Sequence, residues 1–381
     1  MRVEELSWKE RDGWTSARQI DPDLVMYFGA RQYLSDGARF EELRELYPDA
    51  HIVGCSTGGQ IRKDDVVDDE IAALAMSFDA TEIRVATEIV SGPEQSRACG
   101  EMIGQKLRGH ELAGVLVLSD GLNVNGSELV AGIKGAIGLS VPLTGGLAGD
   151  GSDFIQTLVG GNCAPRSNIV TGIGFYGTAV RLGNGSAGGW TSIGARRRIT
   201  RSAGNVLYSL DGEPALDLYE RYLGEEADGL PGTALLFPLQ INDPGRPETT
   251  LVRTVLAVDH RNRSMTFAGD MPQDWNAQLM SGNLAGLAEG AADAARQARN
   301  GVGERATDKE GVALLISCIG RRLLMGQRTS EEIEAAGAEL GDRIKRIGFY
   351  SYGEIAPHAL SGYCELHNQT MTITTISEAA A

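Results

Sequence analysis

"GVALLISCIGRRLLMGQRTSEEIEAAGAELGDRIKRIGFYSYGEIAP", residues 311–357, opens on an apolar run of strand length. Thr329, followed three residues later by Glu332, marks a capping box. Ile333, Ala336, Leu340 and Ile344 then recur at helical spacing. A second apolar strand stops abruptly in a polar turn around Gly353. Strand, helix and strand in this order predict a crossover unit whose second strand runs parallel to its first.

The same grammar occurs twice more. "LVMYFGA" (24–30) is bounded by Asp-Pro-Asp and leads into "ARFEELRELY", where Phe40, Leu43, Leu46 and Tyr47 share a helical face. The strand "HIVGCS" (51–56) completes that unit, and "IVGCSTGGQI" (52–61) ends like the 347–357 stretch in glycine and hydroxyl residues. Residues 114–151 hold the other copy. A strand ends in Ser119-Asp120-Gly121, Asn125 and Glu128 are placed as a capping box, and Leu129, Ile133 and Ile137 form the stripe. The strand "SVPLTGG" then runs into the glycine-rich turn "GGLAGDG" (145–151).

Between the units lie stretches of β character at 69–79, 82–90, 154–161, 168–177 and 205–212. Residues 250–270 predict a hairpin turning at 259–262, and an Ala-rich helix is expected over roughly 275–299. The break between two parts is placed at Asp211-Gly212-Glu213-Pro214, with no low-complexity linker. The expected fold is α/β: two closely packed domains, 22–212 and 213–378, with repeated strand–helix–strand units and mixed β-sheets.

Composition narrows the function. The chain has 381 residues, long for one core, and a formal charge of -16. That balance argues against nucleic acid or an anionic membrane as partner. The arginines of "GARRRITR" (194–201) read as a solvated strand face. No run reaches the length of a membrane helix and no secretory signal opens the sequence, so a cytoplasmic protein is expected. Five scattered cysteines without a CxxC predict free thiols in a reducing compartment. Fifty glycines imply tight turns and close backbone approach.

The combination "GCSTGGQI", "GGLAGDG", "DGEPALDLYERYLG", "SCIGRRLLMGQRTSEEIE", "GFYSYGEIAP" and "CELHNQTMTITTISE" resembles the FIST family, over about residues 22–378. These bacterial sensory proteins pair an N-terminal with a C-terminal FIST domain. The resemblance implies binding of a small ligand, amino acids being often proposed. It also implies signalling to kinases, cyclic-dinucleotide enzymes or chemotaxis receptors. Some free-standing members bind haem and sense nitric oxide beside a histidine kinase. With no fused kinase, GGDEF-type or receptor module in the sequence, this chain is expected to act on its partner in trans.

Ligands of open α/β sheets bind outside the carboxyl ends of strands. The matching turns are therefore expected to line one pocket. They supply Cys55, Ser56 and Thr57, then Gly145, Gly146, Gly149 and Asp150, then Tyr352, Gly353 and Glu354. "GGLAGDG" is a poor phosphate loop, since Asp150 would repel phosphate and no good helix follows. His367 and Asn368 of "CELHNQT" either tie the last strand to its neighbouring loops or face the pocket. Were haem bound it would be non-covalent, with His367 or His358 as axial ligand ahead of His51 and His260. Cys364 and His367 fall on opposite faces of a strand and do not form a joint metal site. A thiol-dependent hydrolase or transferase using Cys55 is the catalytic alternative, but a thiol nucleophile needs a base, and only His51 is near in sequence. Cys318 reads as inert, and the chain is expected to be a sensor rather than an enzyme.

Overall fold

The computed structural model describes residues 1–15, 19–230, 232–247, 250–302, 310–358 and 362–379. All three predicted crossovers are present. Leu24–Gly29 pairs in parallel with His51–Ser56, Leu112–Ser119 with Leu143–Leu147, and Gly311–Cys318 with Ile344–Ser351. Each pair is the heart of a six-stranded mixed sheet.

The alternation of side chains explains why these strands read as unbroken apolar runs. Leu24, Met26 and Phe28 face a core that they share with Leu116 and Leu118 of the second unit and Val312, Leu314 and Ile316 of the third. The residues between them face helices instead. Val25 and Tyr27 pack with Phe40 and Leu43, whereas Val115 and Val117 share a second core with Ile103, Leu129 and Ile133. In the third unit Ala313 and Leu315 pack with Ile333, Ala336 and Leu340. Three sheets thus surround one centre and carry helices on their outer faces, which leaves no polar face on the central strands.

The sheets mix segments distant in sequence. Gln60–Arg62 adds to the edge of Ile344–Ser351, Gly353–Pro357 pairs with Leu143–Leu147, and Val180–Ala187 with Met371–Glu378. A fourth, eight-stranded sheet is built from 191–281, with the helix Ala215–Leu223 on its own core. Residue 212 lies in the turn between Val206–Leu210 and Glu213–Pro214, inside this sheet. The Arg196–Arg198 stretch is largely exposed on it, with Arg197 paired to Asp211 and Arg198 to Asp274.

Several local expectations need correction. Residues Asn276–Ser281 form a strand between Leu239–Asn242 and Thr191–Ala203, and the Ala-rich helix starts only at Leu284. Pairing on both edges outweighs helix propensity there. Of 154–161 only Val159–Gly161 is strand, because the Asp150 carboxylate takes the amides of Phe154, Ile155 and Gln156 into a turn. Thr329 does not cap its helix by side chain, and Glu332 turns inward to Arg321. Asn125 does cap, accepting the Glu128 amide at 3.1 Å, while the Glu128 carboxylate pairs with Arg97. The 250–270 segment contains the expected hairpin, but as Val255–Asp259 with Ser264–Phe267; Thr250–Arg253 pairs elsewhere.

Candidate functional site

The carboxyl-end corners of the three units meet, and they bond to one another. The Gly58 amide donates to the Tyr350 carbonyl at 2.8 Å, and the Tyr350 amide donates to Gly59 at 2.9 Å. The Gly149 amide donates to Ser56 at 3.0 Å, and that of Tyr352 to Leu147 at 3.2 Å. A Cβ on Gly149 would stand 3.1 Å from the Gly58 nitrogen and 3.3 Å from the Tyr350 oxygen, so any larger residue would push the facing backbone back by a few tenths of an ångström. The residues expected to surround a hollow instead form a plug.

Within the plug, Cys55 belongs to the central core, where burial pushes its thiol well above the usual range. Ser56 Oγ accepts the Leu158 amide at 2.9 Å, and the Thr57 hydroxyl accepts that of Gly59 at 3.3 Å. Gly145 and Gly146 are strand residues under Val117 and Ile316, and Gly353 packs on Leu147 and Leu366. Glu354 is enclosed: Ser351 Oγ donates to one oxygen at 2.6 Å, and the Thr370 amide and hydroxyl donate to the other at 3.2 and 2.9 Å. Burial pushes this carboxyl up to about 8.

A cavity of about 480 Å³ adjoins the plug at Tyr352. That size suits a small molecule. One wall is the loop 121–126, which follows the first strand of the second unit. The opposite wall is Thr254, Val255 and Leu256 with Gly269 and Asp270, all from the 191–281 sheet. Cys318, Ile319 and Leu323 of the third unit close the base, with Leu323 exposed. Of the site residues expected from sequence, Tyr352 and Asn368 line this cavity; the others lie in the plug or beyond it.

Two buried aspartates shape the entrance. Asp120 Oδ1 accepts the amides of Leu122 and Asn123, each at 2.8 Å, and Oδ2 accepts that of Asn168 at 2.8 Å, which fixes the loop carrying Asn125. Asp150 gathers the 154–156 amides and the Tyr352 hydroxyl. Burial opposes its ionisation, but those donors and Arg31 outweigh it and hold the carboxyl below its ordinary value. Phe154 is thereby kept at φ 52°, with its ring stacked on Tyr352 at 4.6 Å. Such a backbone angle is costly for a bulky residue, and here it presents an exposed aromatic at the mouth. Asp150 thus builds the site without lining it.

Haem does not fit these residues. His367 lies outside the cavity lining, and its Nε2–H donates to the Ala356 carbonyl at 3.1 Å. His358 Nε2 accepts the Thr250 amide at 3.3 Å, so neither imidazole offers Nε2 to a ligand. Cys318 lines the cavity, but burial pushes its thiol up to about 12. Among the described residues no cluster of His, Cys, Asp and Glu is arranged to hold a metal ion.

The "HNQ" segment is instead a junction. The Trp190 indole donates to the Gln369 carbonyl at 2.7 Å, Gln369 Nε2 donates to Leu235 at 3.3 Å, and Arg253 Nη1 donates to Leu366 at 3.0 Å. It fastens the 191–281 sheet to the triple-sheet body. Burial, above all, depresses His367 to about 4. A base whose pKa falls on folding contributes stability above its unfolded value, near 6.5, and loses it as pH drops toward 4. Between pH 7 and pH 5 this one group should cost about 2 kcal/mol. Urea unfolding at both pH values tests this: His367→Gln should lose less stability than the parent, and equal losses would refute it.

The cleft residues missed from sequence carried a partial signal. "SDGLNVN" and "SCIG" end first strands of units, so the carboxyl-end rule applies to them as well as to the second-strand turns. Thr254 and Asp270 carried none, because their place depends on how the fourth sheet docks.

The cleft's walls also divide in sequence. Residues 23–213 match the family model of the FIST N domain and residues 215–357 that of the FIST C domain. No curated protein matches the chain. The described residues contain no helix long and apolar enough to cross a membrane. FIST domains are associated with signal-transduction sensing of small ligands, and a cleft with loop 121–126 on one side and Thr254–Leu256 on the other draws on both of them. By both matches, which together span most of its length, the chain belongs to the FIST family.

Proposed function

We propose that this protein is a non-enzymatic sensor that holds a small ligand in the cleft and thereby regulates a partner protein, a histidine kinase or cyclic-dinucleotide enzyme being the class that the family implies. The observation that carries this reading is a single hydrogen bond across the cleft. Asn125 Nδ2, at the cap of the second unit's helix, donates to Asp270 Oδ1 of the fourth sheet at 3.1 Å. Both residues line the cavity, so a ligand that engages either one acts directly on the contact between the two bodies. Occupancy then favours one arrangement of the fourth sheet over another by its difference in affinity for the two.

The thiols support binding over thiol-dependent catalysis. Cys55 is sealed in the core, and Cys318 is held in its neutral form, so neither presents a thiolate. The haem-based reading finds no histidine among the described lining residues of the cleft.

A thermal-shift screen of metabolites against the parent and Leu323→Trp tests the proposal. Leu323 is exposed at the cavity wall, and indole there occupies ligand volume without disturbing the core. A ligand at a hundredfold excess over its Kd adds about 2.7 kcal/mol to the parent. The tryptophan variant should show little of that gain. Stabilisation equal in both proteins, or by no compound, would refute the cleft as the site.

A further inference from the structure

The hydrogen-bonding inventory of the cavity is one-sided. Its side-chain amide and phenol donors are spent on the protein: Asn125 Nδ2 on Asp270, Asn205 Nδ2 on Phe267 at 2.8 Å, and the Tyr352 hydroxyl on Asp150 and Gly151. Asn368 Nδ2 donates to the His367 carbonyl at 3.0 Å, which fixes the amide's orientation. What remains among the side chains is one pure acceptor, the Asn368 amide oxygen, and one hydroxyl, that of Thr254, which can accept. Asn368 Oδ1 and Thr254 Oγ1 have no partner, in residues 1% and 4% exposed. An orphaned buried acceptor is costly, and a donor arriving with a ligand removes that cost.

Charge points the same way. Asp270 is the one charged side chain among the described lining residues. Arg253, next to Thr254, is buried away from the cavity, its guanidinium donating to the carbonyls of Asp270, Val252 and Leu366. No lysine, arginine or histidine among the described lining residues could neutralise a carboxylate or phosphate. The rest of the wall is apolar, with Leu122, Leu256, Leu323 and Phe154.

We propose that the cleft selects a small amine with an apolar body, its ammonium group on Asp270 and its N–H donors reaching Asn368 Oδ1 and Thr254 Oγ1. The proposal rests on the cleft being the ligand site and narrows the ligand class. A zwitterionic amino acid or an organic acid brings a carboxylate that the wall does not match. An ammonium ion drawn to Asp270 also competes with Asn125 for that carboxylate, which couples the ligand's charge to the contact across the cleft.

Isothermal titration of the full chain with four probes of one shape tests this: phenethylamine, phenylalanine, hydrocinnamate and phenethyl alcohol. Phenethylamine should bind about tenfold or more tightly than phenylalanine and hydrocinnamate. Asp270→Asn keeps an oxygen able to accept from Asn125, so phenethylamine affinity should fall about tenfold while phenethyl alcohol binding, which reports that the cleft is still formed, is unchanged. Equal or tighter binding of phenylalanine or hydrocinnamate, or an Asp270→Asn variant that binds phenethylamine as well as the parent, overturns the amine class. If those ligands bind the parent and not Leu323→Trp, the cleft stands and only its charge selectivity falls. No binding by any probe also overturns the amine class, and the metabolite screen with Leu323→Trp then judges the cleft alone.

Discussion

Glu332→Ala should destabilise the fold by about 3–5 kcal/mol. Both Glu332 and Arg321 have fully buried side chains. Arg321 Nε and Nη2 donate to one carboxylate oxygen at 2.9 and 2.7 Å, and Ser317 Oγ and Tyr350 OH donate to the other at 2.9 and 2.7 Å. Arg321 Nη1 also reaches the Gly188 carbonyl at 2.6 Å and Nη2 that of Leu287 at 2.7 Å. Alanine leaves a guanidinium buried without its counter-charge and two hydroxyls without their acceptor. Removing both charges is less harmful than removing one, so Arg321→Met with Glu332→Leu should recover much of the loss. Urea midpoints of the two variants decide the matter. A loss below about 1 kcal/mol for Glu332→Ala, or a double variant worse than the single one, would contradict it. The network also holds Ile319–Met325, the base of the cleft, so ligand binding should weaken in the same variant.

The second large effect is expected at Gly145. Its φ is 140°, and a Cβ there would lie 1.9 Å from the Val117 oxygen and 2.8 Å from the Val117 carbonyl carbon and nitrogen. Those atoms belong to the strand paired with it in parallel, so they have little freedom to retreat. Gly145→Ala combines a backbone angle unsuited to alanine with a main-chain clash, and should cost roughly 3 kcal/mol or more. Gly135 is the control. A Cβ there meets nothing within 4 Å, and it lies within the helix Gly126–Ile137. Gly135→Ala should be neutral or stabilising by up to about 1 kcal/mol. Similar midpoints for the two variants would show that this corner is looser than its geometry implies.

The glycine at 145 also shows how the turns were read. Their glycine and hydroxyl residues correctly mark strand ends that meet in space. What they meet is each other: the backbone of Gly58, Gly149 and Tyr350 fills the point of convergence. Sequence periodicity registers that a chain must turn tightly, and does not register whether the space so made is left for a ligand. Glu332 is a similar case. Its spacing from Thr329 fits a capping box, but its carboxylate faces a buried arginine on the preceding helix, and an ion pair in the interior outweighs a local cap.

By itself the sequence determined the three crossovers, the two-sided burial of their strands, the Asn125 cap and the hairpin ending at Ser264–Phe267. These depend on neighbours a few residues apart, where hydrophobic period and capping chemistry act locally. Only the tertiary structure decided that Gly353–Pro357 would pair with Leu143–Leu147, that Asn276–Ser281 would be a strand, and that Asn125 would face Asp270. Those outcomes are set by which surfaces bury most area and satisfy most polar groups once the sheets are assembled. The cleft belongs with them, because its walls come from segments more than a hundred residues apart and exist only when the fourth sheet is docked.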